Sequence, residues 1–198
     1  LRATARAATE AEAEAMLAPV VAEVRAVLGD YVYGVDVESL PAACLALLKE
    51  RGQTFATAES CTGGLLSQEI TALPGSSAVY RGGVVSYWTE IKASVLGVPQ
   101  DLLDQHGAVS EPTARAMAEG ARRLTGADFA LSVTGVAGPD PDERNNPVGR
   151  VFVGLATPTG TYCRHLELGR RQRARIRDLA ANHAFDLLRR YLTGLPVE

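Results

Sequence analysis

Lysine is scarce in this chain: its 198 residues include only Lys49 and Lys92, beside eighteen arginines. Cysteine is scarce as well, and the three cysteines, widely spaced and odd in number, form neither a disulfide framework nor a zinc pattern. No apolar run approaches the roughly 20 residues needed to cross a bilayer. The net charge of −3 gives no electrostatic reason to expect a nucleic-acid or membrane partner. These absences favour a soluble protein of the reducing cytoplasm.

The composition, 46% apolar, suits one domain with a real core and an appendage. The chain opens at Leu1, and residues 2–15 are rich in alanine and glutamate with no apolar signal core, so we expect a piece of a longer protein. A helix is predicted over residues 4–28 and a strand over 31–35, a pair too small to hold its own core. We therefore interpret residues 1–38 as the tail of an upstream domain and residues 39–198 as the main domain.

Strands and helices alternate through the main domain, which begins with a helix capped by Ser39. The predicted strands cover residues 54–58, 78–87, 129–134, 151–157 and 162–168. The predicted helices cover residues 65–72, 89–96, 99–106, 111–124 and 171–192. Alternating helices and buried strands, with a hairpin near the end, predict an α/β fold: a three-layer αβα domain with a mixed, mostly parallel sheet.

The segment Ala58-Glu-Ser-Cys-Thr-Gly-Gly-Leu65 is the strongest candidate site. It joins a predicted strand to a predicted helix, where free backbone N–H groups favour an anion and would serve a nucleophile as oxyanion donors. The pattern fits catalysis by Ser60, a phosphate-binding turn or a plain connection. Cys61 is a rival nucleophile, because a thiol at a helix N-terminus can be acidified, although a small buried apolar role is the commoner fate.

A serine nucleophile needs a base, and the histidines do not indicate one. His183 falls on the apolar face of the last helix, His106 at a helix end and His165 in the predicted hairpin. The Gly-x-Ser-x-Gly elbow is absent too. The sequence therefore does not favour a histidine-based hydrolase.

Lysine is the other possible base, since a desolvated lysine loses its proton whereas arginine does not. Lys92 lies five residues after Tyr87, in the first turn of the predicted helix 89–96. Both side chains are placed to reach the sheet edge that carries Ser60, and the helix dipole is expected to lower the pKa of Lys92. A solvated lysine beside a half-buried tyrosine is the plainer interpretation, and the pattern leaves it open.

A second glycine-bearing loop, Thr134-Gly-Val-Ala-Gly-Pro139, follows the buried strand. Open α/β sheets bind ligands at the carboxyl ends of strands, so this loop suits a phosphate or a ribose. The acidic turn 140–143 is interpreted as solvated rather than as a cation site. The five arginines between Arg170 and Arg177 flank an apolar helix face and are interpreted as its wet side rather than as a nucleic-acid site.

Several spaced blocks occur here in one order. They are Ala58-Glu-Ser-Cys-Thr-Gly-Gly64, Pro74-Gly-Ser-Ser77, Gly83-Val-Val-Ser-Tyr87 with Lys92 and Leu96-Gly-Val98, Gly107-Ala-Val-Ser-Glu111, and Thr134-Gly-Val-Ala-Gly-Pro139 with Pro147-Val-Gly149. Through them the chain resembles the C-terminal domain of the CinA (competence/damage-inducible) family, the nicotinamide-nucleotide amidohydrolases of the PncC type. Residues 1–38 resemble the tail of the linker domain that precedes this module in longer members.

The resemblance implies a cytoplasmic enzyme that hydrolyses the carboxamide of nicotinamide mononucleotide to nicotinate mononucleotide and ammonia. It implies no metal and no other cofactor, a homodimer, and upstream CinA domains in the longer chain. By position, Ser60 would be the nucleophile, with Tyr87 and Lys92 relaying its proton and protonating the leaving ammonia. The implied substrate-binding residues are Thr62, Gly63, Gly64, Thr134, Gly135 and Gly138.

One departure from the family pattern concerns the phosphate. Relatives often carry lysine where this chain has Asn146, so Arg144 or Arg150 is the expected substitute. The alternative function is a nucleotide-binding or regulatory module that keeps the pocket without turnover. The presence of Ser60, Tyr87 and Lys92 favours the enzyme.

Overall fold

Five strands form one mixed sheet in the order β2-β1-β3-β4-β5. The strands are β1 (Phe55–Glu59), β2 (Tyr80–Val85), β3 (Phe129–Gly135), β4 (Arg150–Thr157) and β5 (Gly160–Glu167). The first three run parallel to one another, whereas β4 and β5 form the late antiparallel hairpin. The computed structural model describes residues 1–197, and the sheet lies within the unit formed by residues 38–198.

Helices cover both faces of this sheet. They are α2 (Leu40–Arg51), α3 (Leu65–Thr71), α4 (Thr89–Ser94), α5 (Gln100–His106), α6 (Glu111–Thr125) and α7 (Arg173–Thr193). On one face, Leu48, Leu66 and Phe185 from α2, α3 and α7 share a buried cluster; on the other, Leu103 and Met117 from α5 and α6 form a second. The predicted three-layer α/β fold with a mixed sheet is therefore confirmed.

Local sequence explains where these elements begin and end. The Ser39 and Ser110 hydroxyls accept N–H groups in the first turns of α2 and α6, and Gly126 ends α6 with a left-handed backbone. The strand β3 is buried along nearly its whole length, as its continuous apolar run predicts. No helix in residues 1–197 has the length and apolarity that a membrane crossing requires.

Residues 1–37 form a separate unit. Its helix α1 (Glu10–Leu28) starts at a capping box between Thr9 and Glu12, later than the predicted residue 4. The strand predicted over residues 31–35 is wrong: a short 3-10 turn ends at Tyr31 and irregular backbone follows. The side chains of residues 31–35 alternate in the sequence, but all of them are exposed or partly exposed, and no described strand pairs with this segment.

Candidate active site

Three hydroxyl-bearing residues lie side by side where the parallel strands end. Glu59 pairs with Val85 on one side and Val133 on the other, so Ser60, Ser86 and Thr134 occupy the next rung. Backbone bonds continue the ladder: Ser60 N–H donates to the Val133 carbonyl at 2.9 Å, and Ser86 N–H to the Glu59 carbonyl at 2.8 Å. This carboxyl edge is where open α/β sheets place their ligands.

Lys92 and Ser60 meet at this edge. The Lys92 Nζ lies 3.1 Å from the Ser60 Oγ and 2.5 Å from the Ser86 carbonyl oxygen. The Lys92 side chain is only 1% exposed, so a solvated surface lysine is excluded. The structure thus brings together two of the three residues predicted to be catalytic.

Burial lowers the pKa of Lys92 to about 8, because an ammonium loses its hydration in the interior. The expected direction is therefore found, but for a different reason from the predicted one. Helix α4 has only six residues, and Lys92 lies in its last turn. The helix dipole at that end would favour the charged form of the amine and so would raise its pKa. A Cys61 thiolate would oppose the shift, but burial raises the pKa of that thiol to about 12, so it stays neutral.

Tyr87, the third predicted residue, lies just after β2 with 55% of its surface exposed. Its hydroxyl accepts a hydrogen bond from the Arg173 guanidinium at 2.7 Å. Among the described residues it makes no hydrogen bond with Ser60 or Lys92. Tyr87 therefore lies at the rim of the site, held by an arginine from α7.

A buried carboxylate organises the turn that carries Ser60. The fully buried Glu59 accepts N–H groups from Gly64, Leu66 and Ser67 at 2.9–3.0 Å, and the Ser67 hydroxyl at 2.7 Å. Ser67 and the Tyr80 hydroxyl extend this network at 2.7 Å. The carboxylate occupies the start of α3, where an outside anion was expected to bind.

Replacing Glu59 by glutamine is expected to destabilise the protein by about 3 kcal/mol, since the amide accepts fewer hydrogen bonds and turns an NH2 group toward backbone donors. Urea unfolding measures this change. Glu50→Gln, on the exposed side of α2, is the matched control and should leave the free energy of unfolding unchanged. Equal stabilities for the two variants would contradict the role given to Glu59.

Of the three residues expected to offer N–H groups in this turn, Gly63 and Gly64 have theirs engaged within the described residues and Thr62 does not. Gly63 N–H donates to the Ser60 carbonyl at 3.0 Å and Gly64 N–H to Glu59, so neither is available to a substrate. The N–H groups of Cys61 and Thr62 donate to no oxygen of the described residues. Two buried hydroxyls, those of Thr62 and Ser86, also have no partner within residues 1–197. Such groups are unusual in native interiors and mark places where a ligand or water completes the bonding.

The second loop is shaped by the chain itself. Thr134 is fully buried and its hydroxyl donates to the Ala108 carbonyl at 2.6 Å. A Cβ at Gly135 would lie 2.7 Å from the Arg150 carbonyl oxygen, and one at Gly138 would lie 2.9 Å from Val148. Gly138 also has a φ of +84°, which favours glycine. The loop therefore reaches the site edge through Thr134, while its glycines allow close packing.

Neither the three histidines nor the Cys61 thiol has the surroundings that a catalytic base or nucleophile requires. His165 stacks on Phe152, His106 is exposed at the end of α5, and His183 is half-buried in α7. None hydrogen-bonds Ser60 within residues 1–197. Cys61 is buried with a raised pKa, the opposite of an acidified nucleophile.

The two cations suggested for a phosphate are engaged elsewhere. Arg144 donates to the Leu103, Asp104 and Gln105 carbonyls at the end of α5. Arg150 pairs with Glu167 at 2.7 Å and reaches the Asn146 side-chain oxygen at 3.1 Å. In the described part of the chain, both arginines connect neighbouring segments through these hydrogen bonds.

Two arginines of α7, interpreted from sequence as a wet helix face, instead contact the site. Arg173 donates to the Gly138 carbonyl at 2.6 Å as well as to Tyr87, and Arg177 donates to the Thr62 carbonyl at 2.6 Å. Helical spacing placed them opposite the apolar stripe correctly, but it does not reveal which loops lie within reach. Within residues 1–197, no group of three or more His, Cys, Asp or Glu side chains is placed to hold a metal ion.

Comparison with known proteins gives the same family for both units. Residues 37–192 match the family model for the CinA C-terminal domain, and residues 1–34 match that for the damage-inducible protein CinA KH domain. A CinA-like protein of Frankia casuarinae is 52% identical over 99% of this chain and 45% of its own length. A putative competence-damage inducible protein of Symbiobacterium thermophilum is 50% identical over 98% of this chain and 47% of its own length.

The solved structures agree. The competence/damage inducible protein CihA from Agrobacterium tumefaciens is 36% identical with a TM-score of 0.75, over 82% of this chain and 98% of that one. A CinA superfamily protein from Klebsiella pneumoniae is 32% identical with a TM-score of 0.76, over 78% and 96%. The chain spans about half the length of the curated relatives it matches. On these grounds, the chain belongs to the CinA family.

Proposed function

We propose that residues 39–198 form an amidohydrolase domain that converts nicotinamide mononucleotide to nicotinate mononucleotide and ammonia. The observation that carries this proposal is the 3.1 Å contact between the Ser60 hydroxyl and the amine of Lys92, whose burial lowers its pKa to about 8. With a pKa of about 8, roughly a tenth of that amine is neutral at pH 7, far more than for an ordinary lysine, and a neutral amine is the base that a serine nucleophile needs. The family resemblance supplies the substrate.

The geometry suits a two-step acyl transfer. The neutral Lys92 amine takes the Ser60 proton as Oγ attacks the carboxamide carbon, and the N–H groups of Cys61 and Thr62 bind the oxyanion. The intermediate then collapses: the C–N bond breaks and the nitrogen takes the proton that Lys92 accepted, so that ammonia leaves and the Lys92 amine is neutral again. Water attacks the resulting ester, Lys92 receives its proton, and nicotinate mononucleotide leaves with the Ser60 hydroxyl restored.

Tyr87 is proposed as the group that passes the proton to the leaving ammonia, with its hydroxyl positioned by Arg173. We further propose that Thr62 and the segment from Thr134 to Gly138 contact the nucleotide. For Gly63 and Gly64 the proposed role is conformational, since their N–H groups are already bonded within the turn. Metal and other cofactors have no part in this scheme.

Ammonia release by the purified chain tests the proposal. Nicotinamide mononucleotide, nicotinamide riboside and nicotinamide form the substrate panel, and Ser60→Ala provides the background. Ammonia and nicotinate mononucleotide should appear in equal amounts. If no ammonia is released at high enzyme concentration, the proposed enzymatic activity is contradicted. The second candidate function would then remain, a nucleotide-binding module of a longer CinA protein. The buried hydroxyls of Thr62 and Ser86, which have no partner within residues 1–197, are compatible with that function as well.

We also propose partners and a location for this domain. Apolar side chains are exposed beside the edge strand β2, where they would support a homodimer. They are Val85, Tyr87, Trp88, Ile91 and Val95. In a longer chain the upstream CinA domains would be additional partners, and the cytoplasm is the proposed location.

A further inference from the structure

The serine turn, residues 60–64, is held at both of its ends. At the first end, the Ser60 N–H is bonded to strand β3. At the second end, the buried Glu59 carboxylate accepts three N–H groups from the start of α3, those of Gly64, Leu66 and Ser67. Between these ends lie the N–H groups of Cys61 and Thr62, which donate to no oxygen of residues 1–197. Their direction therefore depends on how firmly the carboxylate is held.

A cluster of three hydroxyls holds one oxygen of this carboxylate. The Ser67 hydroxyl donates to the Glu59 Oε1 at 2.7 Å. The Tyr80 hydroxyl oxygen lies 2.7 Å from the Ser67 Oγ and 2.7 Å from the Thr57 Oγ1. A hydroxyl has one proton, and Ser67 gives its proton to the carboxylate, so Tyr80 is the donor to Ser67 and Thr57 the donor to Tyr80. The protons all run toward Glu59, and in such a chain each bond polarises and strengthens the next.

The sheet leaves room for this cluster and fixes its members. Thr57 of β1 pairs with Gly83 of β2, and a Cβ at Gly83 would overlap the oxygens of all three hydroxyls. Thr57 is fully buried, and the Tyr80 ring packs on Phe55 with the ring centroids 5.1 Å apart. The hydroxyl of Tyr80 is therefore delivered to one position, next to Ser67.

We propose that Tyr80 is a positioning residue for the reaction: acting through Ser67 and Glu59, its hydroxyl orients the unpartnered N–H groups of the serine turn toward the oxyanion. This rests on the proposed function, because the oxyanion forms on the carboxamide that Ser60 attacks. Catalytic groups tolerate little displacement, and an error of about 1 Å can lower a rate about 100-fold. Loss of the Tyr80 hydroxyl loosens the carboxylate without removing it, so the effect on the rate is graded.

Removing only the hydroxyl tests this role. In Tyr80→Phe the ring still packs on Phe55, and kcat for nicotinamide mononucleotide should fall about 3- to 10-fold, as expected for one net hydrogen bond. KM should stay within about twofold of the parent, because the substrate is bound by other groups. Tyr191→Phe is the matched control, since the Tyr191 hydroxyl bonds Thr159 at 3.0 Å and its ring packs on a phenylalanine, away from the serine turn. It should leave both constants unchanged.

A double-mutant cycle tests whether Tyr80 acts through Ser67. Ser67→Ala removes the middle hydroxyl, so adding Tyr80→Phe to it should lower kcat little further. Losses that multiply would mean that Tyr80 affects the rate by another route and would overturn the proposal. With an active parent, an unchanged kcat in Tyr80→Phe would overturn it too, as would a change in KM alone.

Amide hydrogen exchange separates this proposal from the proposed function, because it needs no turnover. The amides bound by Glu59 should exchange about 3- to 10-fold faster in Tyr80→Phe, while those of α6 and those of Tyr191→Phe keep the parent rates. A parent that releases no ammonia, yet shows this local change, would remove the enzyme and keep Tyr80 as the residue that orders the serine turn. Unchanged exchange at these amides would remove the ordering role even from an active enzyme.

Discussion

Replacing Lys92 by methionine is expected to lower the rate of ammonia release by about 10³- to 10⁴-fold while making the folded protein more stable at pH 7. Activity falls because Ser60 loses the amine that accepts its proton. Stability rises because the buried side chain no longer has to be desolvated as an ammonium. The pKa of Lys92 lies at about 8 instead of 10.5. After allowance for the lost hydrogen bonds, the expected gain is on the order of 2 kcal/mol.

The pH dependence of the stability gained in Lys92→Met shows whether the gain comes from removing a desolvated ammonium. The folded state binds the Lys92 proton more weakly than the unfolded state, so the penalty is fully present below pH 8 and fades between about 8 and 10.5. Chemical unfolding at pH 7 and pH 10 should therefore show the advantage of Lys92→Met shrinking at the higher pH. Lys49→Met, at the exposed second lysine, should show neither effect. A methionine variant less stable than the parent at pH 7 would contradict the desolvated amine.

Replacing Ser60 by alanine is expected to reduce ammonia release by at least about 10³-fold, because the attacking oxygen is removed. Substrate binding should change little, since the proposed oxyanion donors belong to the backbone of Cys61 and Thr62. Initial rates of ammonia formation and calorimetry with the nucleotide measure the two effects separately.

Cys61→Ala is the matched control next to it in sequence. The Cys61 thiol is buried and its pKa is raised to about 12, so its removal should leave the rate within about tenfold of the parent. The reverse pattern, with activity surviving in Ser60→Ala and lost in Cys61→Ala, would establish a cysteine hydrolase and overturn the assignment of the nucleophile.

The position of Ser60 was predictable because it depends on local chemistry. A β-prone run followed by glycines and an apolar helix predicts a strand-to-helix turn, and the buried run of β3 predicts a neighbouring strand whose end lies beside that turn. The strand predicted over residues 31–35 failed because alternation is a local signal, whereas a strand also needs a partner to hydrogen-bond.

The surroundings of Ser60 were not predictable in the same way. Sequence placed Lys92 near the serine but gave the helix dipole as the cause of its lowered pKa, whereas burial is the cause in the structure. Glu59 reads as an ordinary acidic residue at a strand end, and only the folded turn shows its carboxylate surrounded by donors. Arg173 lies 86 residues from Tyr87. Contacts over such separations are set by how α7 packs on the sheet, which helical periodicity does not specify.

The claim on which this account rests is that burial lowers the pKa of the Lys92 amine to about 8, so that part of it is neutral close to physiological pH. NMR titration of the chain labelled with 13C at the lysine side chains measures this directly, since only two lysines are present and Lys92→Met identifies the signal. The account predicts that the Lys92 signal titrates with a midpoint near 8. A midpoint at the ordinary lysine value of about 10.4 would contradict it.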